Sequence, residues 1–141
     1  MVAPTNVRLP VHVDEALAEY VRNTGERKST VISEAVSEWL RLRNHPQIRF
    51  VEPVAGERRA ALVDGPQVWS VAEAWLQNAG PHRSVAWVAE LTALRPDQIE
   101  AALNYWADNR DEIDGLISRI HAAQEAGYAA WQRRRSLDSL A

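Results

Sequence analysis

The chain contains no cysteine, which removes disulfide frameworks and thiolate chemistry and fits a reducing compartment. No stretch approaches the roughly 18 consecutive apolar residues that a membrane span needs. The opening residues also lack the basic-then-apolar order of a secretory signal, so the expected setting is cytoplasmic, with no membrane partner. Glycine is scarce, 6 of 141 residues, and Gly56, Gly65 and Gly80 stand singly as turn residues, so no phosphate-cradling loop is expected. The histidines His12, His45, His82 and His121 are scattered, with no i, i+4 pair for a helical metal site. Ser29, Ser33 and Ser37 lack nearby histidine and acid partners, and nothing marks Asp111, Glu112 and Asp114 as a catalytic carboxylate set. Neither an enzyme nor a cofactor is expected.

Six tryptophans and 46% hydrophobic residues supply ample core for one ordinary domain or two small ones. The net charge of −3 is unevenly spread. Residues 1–48 carry six basic and six acidic side chains, and the remainder carries ten basic and thirteen acidic. The acidity belongs to the second half.

In the first half, Asn6-Val7-Arg8-Leu9 alternates polar and apolar residues, the period of a strand with Val7 and Leu9 on one face and Asn6 and Arg8 on the other. Pro10 ends that strand, and His12 or Asp14 is placed to cap the helix that follows. Val13, Leu17, Tyr20 and Val21 form one apolar stripe, which Gly25 closes. A second helix is expected from Lys28 or Ser29, with Val31, Ile32, Ala35, Val36, Trp39 and Leu40 inward and Glu34, Ser37 and Glu38 outward. One short strand cannot stand alone, and two short helices leave more apolar surface than so few residues can cover. A second copy of the chain is the natural cover.

Residues 5–42, in this order of strand, helix, Gly25 and helix, resemble the ribbon-helix-helix fold of the CopG, Arc and MetJ repressors. The resemblance implies a homodimer whose paired strands enter the major groove of operator DNA. It places Asn6 and Arg8 on bases, a pairing that suits adenine and guanine edges. It also places a phosphate at the start of the second helix, near Arg27, Lys28, Ser29 and Thr30. Arg27 stands where the family often has a hydroxyl residue. A head so nearly neutral implies few phosphate contacts, each worth a salt slope of about −0.9, so several dimers side by side on repeated sites are expected.

From Asn44-His45-Pro46 onward the pattern changes. Ile48–Glu52 and Arg58–Val63 read as a hairpin around a turn at Pro53–Glu57. Pro66 is read as a first helical position, before a helix carrying Val68, Val71, Ala72 and Trp75. Gly80-Pro81 closes it, Ser84 caps a second helix, Arg95-Pro96 opens a third, and a fourth runs from about Asp111 toward Trp131. The joint at Thr92–Arg95 has helix-turn-helix spacing. The third helix, however, exposes Asp97, Gln98, Glu100, Asn104 and Asp108, which suits a helical interaction module better than a second DNA contact.

Blocks such as Gly65-Pro66-Gln67-Val68-Trp69, Arg95–Trp106 and Asp111-Glu112-Ile113-Asp114 resemble a small bacterial domain without an agreed function that recurs in antitoxins encoded beside PIN-type ribonuclease toxins. That resemblance, over roughly residues 49–120, implies an antitoxin that represses its own operon and covers a toxin. The tail Trp131-Gln132-Arg133-Arg134-Arg135 is the one basic cluster of the acidic half. Its arginines either favour the helix dipole or enter the carboxylates of such a nuclease, with Trp131 in an apolar groove. The expected fold is mainly α: a dimeric ribbon-helix-helix domain over 1–44, then over 45–141 a β-hairpin with a helix-turn-helix-like four-helix unit. The expected function is an autoregulatory repressor and antitoxin of a ribonuclease toxin. The alternative is a stand-alone transcriptional regulator whose second half binds an effector, another protein or additional DNA.

Overall fold

A computed structural model describes residues 3–140. The chain is mainly helical with one two-stranded sheet, and it divides after Arg43 into two compact units.

The first unit holds α1 (Val11–Thr24) and most of α2 (Lys28–Asn44). Neither His12 nor Asp14 caps α1. Pro10 occupies the cap position, and its carbonyl accepts the Val13 and Asp14 amides at 3.0 and 2.9 Å. Proline suits that place because it needs no donor of its own. Gly25 ends α1 in the left-handed region, φ 74°, its amide returning to the Val21 carbonyl. Residues 3–10 form neither helix nor strand in the single chain. A strand requires a second strand to bond to, and none lies beside this one among the described residues.

No described residue of α1 or α2 is buried. The two helices make few contacts with each other, and Leu9, Leu17, Ala18, Val21, Val31 and Leu42 are only half-covered. Glu38, expected outside, is half-covered as well, while Ile32, Val36, Trp39 and Leu40 lie open on the face expected inside. An ion pair of 2.8 Å from Lys28 to Asp14 joins the two helices at the α2 start.

The second unit begins with β1 (Ile48–Val54) and β2 (Glu57–Leu62), an antiparallel pair in which Ile48 faces Leu62 and Phe50 faces Ala60. The strands run closer to the turn than the sequence suggests. Pro53 lies inside β1 rather than in the turn, where the register shifts between Val51 and Val54. A bulge tolerates a residue without an amide hydrogen. Gly56, φ 80°, makes the tight turn.

Next come α3 (Val68–Leu76), a 3-10 turn at Gly80–His82, α4 (Val85–Thr92), α5 (Pro96–Asp108), α6 (Arg110–Arg135) and a 3-10 turn at Ser136–Ser139. Pro66 does not open α3. Gln67 holds the cap position, and the Pro66 carbonyl instead accepts the Leu62 amide at 2.9 Å, extending the sheet edge. Ser84 caps α4 by accepting the Trp87 amide at 3.2 Å, and Pro96 opens α5.

α5 is the central element, packed on α3, α4, α6 and both strands. Its Ile99 and Tyr105 are fully buried, joined by Val68, Val88, Leu62 and Ile113 from its neighbours. Each such aliphatic side chain contributes about 1.5–3 kcal/mol by leaving water. The His45 and Phe50 rings meet Tyr105 edge-on, at 5.1 and 6.5 Å between centroids, and His45 also bonds Asp108 at 3.0 Å. The first residues after α2 are thereby seated on α5.

Candidate nucleic-acid interface

In the first unit, Asn6 and Arg8 are exposed in the segment ahead of α1. Arg27 is exposed immediately before α2, and its carbonyl accepts the Val31 amide at 3.1 Å. That bond is the first of the helix, so the amides of Lys28, Ser29 and Thr30 have no helical carbonyl to reach. No acidic residue occupies the first turn of α2, and the three side chains there are exposed. Open amides and the positive end of a 17-residue helix meet here, with Arg27 as the exposed residue just before them, an arrangement that suits an anion. The Lys28 ammonium is shared with Asp14. Both partners are about half exposed, and such a pair is worth at most about 1 kcal/mol, so a phosphate oxygen can compete for it.

The rest of this unit is an uncovered apolar face. Ile32, Val36, Trp39 and Leu40, at i, i+4, i+7 and i+8 of α2, are 37%, 53%, 59% and 52% exposed. Val13 and Tyr20 of α1 are exposed too, and the Arg43 guanidinium lies 5.3 Å from the Trp39 ring.

In the second unit, α4 and α5 meet through Ala93, φ 58°, whose left-handed conformation ends α4. The polar groups that could read bases from α5 are committed elsewhere. Arg95 donates to Asp64 at 2.8 Å and to Asp97 at 3.1 Å. Gln98, expected on the outer face, is buried: its amide donates to the Asp64 carboxylate at 3.0 Å and its oxygen accepts the Arg95 amide at 2.8 Å. The Arg95 guanidinium, and then Gln98, hold the Asp64 carboxyl below its ordinary range. This cluster fastens the turn after β2 to the α5 N-terminus. The outer face of α5 keeps Asn104 and the carboxylates of Asp97, Glu100 and Asp108, and phosphates would repel those three carboxylates.

Asp114, near the start of α6, is also structural. Asp114 accepts the Trp106 indole N–H at 2.7 Å and the Arg110 guanidinium at 2.9 Å, and the indole bond foremost, then Arg110, holds its carboxyl below the ordinary value of 3.8. A depressed folded-state value stabilises above the unfolded one and is lost as pH falls through the folded one. The second unit is therefore expected to keep its melting temperature down to about pH 4 and to lose it below. Asp114→Asn should flatten that acid limb in thermal melts recorded by circular dichroism, and an unchanged limb would assign it to other carboxylates. Among the described residues no group of three or more His, Asp and Glu side chains is arranged to hold a metal ion.

The C-terminal half of α6 leaves the packed unit. Ile113, Leu116 and Ile117 are buried, but of the described residues from His121 onward only Ala129 is even half-covered. Trp131, Arg133, Arg134 and Arg135 lie in this arm, all exposed. Arg135 covers one face of Trp131 at 4.9 Å, and the Tyr128 ring stacks on Trp131 at 5.7 Å between centroids and 24° between planes. Tyr128 was absent from the residues singled out by sequence, although its i, i+3 spacing from Trp131 was the available signal. Leu137 and Leu140 beyond the arm are exposed as well. The described groups are thus, in the first unit, an open helix N-terminus with an uncovered apolar face and, in the second, a solvated basic and aromatic helix. No protein-family model, curated protein or solved structure matches this chain.

Proposed function

We propose that the chain is a sequence-specific repressor, dimeric through its first unit, that also serves as the antitoxin of a ribonuclease toxin. The observation that carries the reading is the open face of Ile32, Val36, Trp39 and Leu40 in a unit with no buried residue among those described. Two helices of 14 and 17 residues cannot hold themselves together on half-covered side chains. A second copy supplies the missing half of the core, and its residues 5–9 supply the partner that Asn6-Val7-Arg8-Leu9 needs to become a strand. In that ribbon Asn6 and Arg8 project on the face opposite Val7 and Leu9 and enter the major groove. The α2 N-terminus with Arg27, Lys28, Ser29 and Thr30 takes a flanking phosphate.

The antitoxin half of the proposal rests on the second resemblance and on the arm. Trp131 anchors in an apolar groove of the nuclease, and Arg133, Arg134 or Arg135 reaches the carboxylates that would otherwise hold its metal. Selection of a randomised duplex pool by the full chain, followed by sequencing, tests the repressor. A repeated short motif bound by several dimers is expected, and an unenriched pool would refute it. Co-expression with a PIN-type ribonuclease encoded beside the gene tests the antitoxin: growth returns with the full chain and fails with a chain ending at Ala130. Equal rescue by both removes the tail from the mechanism.

A further inference from the structure

The arm offers a surface that neither the operator nor the fold uses. Tyr128, Trp131 and Arg135 lie at i, i+3 and i+7, with Gln124 one turn earlier and Arg134 beside them, so five side chains share one flank of the helix. All are exposed. The rings and the guanidinium already form a continuous stack, Tyr128 on Trp131 and Trp131 under Arg135, whose free end is the outer face of Tyr128. Although the second half of the chain is acidic overall, no carboxylate is paired with Arg133, Arg134 or Arg135 among the described residues. The stripe runs about 16 Å along the helix at 1.5 Å per residue, room for a few extended nucleotides.

A second copy of the arm is a poor occupant. Its only acid between His121 and Arg135 is Glu125, so two arms side by side bring cations together. A nucleic-acid duplex is a poor occupant too, because its bases are stacked on one another and present no free face to Tyr128. An unpaired strand offers both bare base faces and phosphates at the spacing of a helix turn, and sequence-tolerant sites of this kind combine aromatic platforms with arginine.

We propose that the Gln124, Tyr128, Trp131, Arg134 and Arg135 face of α6 binds single-stranded nucleic acid. A base extends the stack on Tyr128, and Arg134 and Arg135 hold the adjoining phosphates. The site is separate from the operator contacts at Asn6 and Arg8 and does not depend on them. It overlaps the surface proposed to cover the ribonuclease, so unpaired strand and nuclease exclude one another there.

Fluorescence anisotropy of labelled oligouridylate, and of oligothymidylate, titrated with the full chain at low salt tests the site. Tyr128→Ala and Trp131→Ala should each weaken binding about tenfold, within the range of alanine substitutions at stacking sites. Arg134→Ala with Arg135→Ala should lower the salt slope by about 1.4, since each lost single-strand contact removes about 0.7. Asn6→Ala with Arg8→Ala should leave these affinities alone while abolishing operator preference, which separates failure of this site from failure of the repressor reading. All the arm positions are solvent-exposed, so the packed part of the second unit is untouched by the substitutions. Undiminished oligonucleotide binding by the arm variants overturns the proposal, as does equal loss of duplex binding in the same variants. No oligonucleotide binding by the full chain, with nuclease binding lost in the arm variants, makes the face a protein-docking surface only and overturns it as well.

Discussion

Trp39→Ala is expected to dissolve the dimer. In the single chain the Trp39 side chain is 59% exposed, and on that count alone its truncation would cost next to nothing. If a second copy covers the face formed with Ile32, Val36 and Leu40, each protomer loses a core tryptophan, about 3–5 kcal/mol. The loss is counted twice in a two-fold assembly. A dissociation constant raised more than about a hundredfold follows, since each 1.4 kcal/mol is tenfold. Sedimentation of the variant at micromolar concentration should show monomer, with the α1 and α2 contribution to the helical circular dichroism signal reduced. The second unit should melt as before, because it is a compact unit with its own core around Tyr105. A variant that remains fully dimeric would place the interface elsewhere and remove the foundation of the operator reading.

The second large effect concerns recognition rather than assembly. Asn6→Ala with Arg8→Ala takes away up to two base contacts per protomer, each discriminating by about 1–3 kcal/mol. Over a dimer that amounts to the greater part of the preference for operator over random duplex, so enrichment in a sequenced pool should collapse by at least about a hundredfold. Dimerisation should persist, because both side chains are exposed in the single chain and, in the proposed ribbon, lie on the face opposite Val7 and Leu9. General affinity should also persist in part, carried by the α2 N-terminus through phosphate. Substituting Arg27 and Lys28 should show the converse pattern, a loss uniform across sequences with a shallower salt dependence. Retained preference in the Asn6 and Arg8 variant would mean that sequence is read by other residues.

Much of the second unit was legible because its punctuation is local chemistry. Ser84 before a helical run and Pro96 after Arg95 each act within one turn of the chain, and α4 and α5 begin where these residues place them. By contrast, α3 ends at Leu76 with Gln77 in the cap position, ahead of a separate 3-10 turn at Gly80–His82. The readings that needed revision have other causes. Pro66 has the form of a helix start, yet its carbonyl accepts the amide of Leu62, four residues earlier, and so closes the turn that follows β2 instead. Gln98 has the form of a surface residue, yet Asp64 on a distant turn satisfies its amide in a buried place. Pro53 entered a strand because the bulge opposite Arg58 asks for no donor there. In the first unit Pro10, rather than His12 or Asp14, holds the α1 cap position.

The candidate interface divides in the same way. Arg27, Lys28, Ser29 and Thr30 come together at the α2 N-terminus as their neighbours in sequence require, since a helix start gathers its own first turn. The tie between Lys28 and Asp14, by contrast, depends on how α1 and α2 are set against each other. The stack of Tyr128, Trp131 and Arg135 needed the helix to continue well past its last buried residue, Ile117, so that all three stand in water together.

From the order of its residues alone the chain set its helical periods, the hairpin, most element ends and the apolar stripe of α2, because backbone preference and side-chain spacing act over a few residues. Tertiary structure decided which of those stripes find cover. It buried the faces of α3, α4 and α5 around Tyr105, left those of α1 and α2 open, and sent the end of α6 into solvent, since covering an apolar face requires atoms from far along the chain or from another molecule.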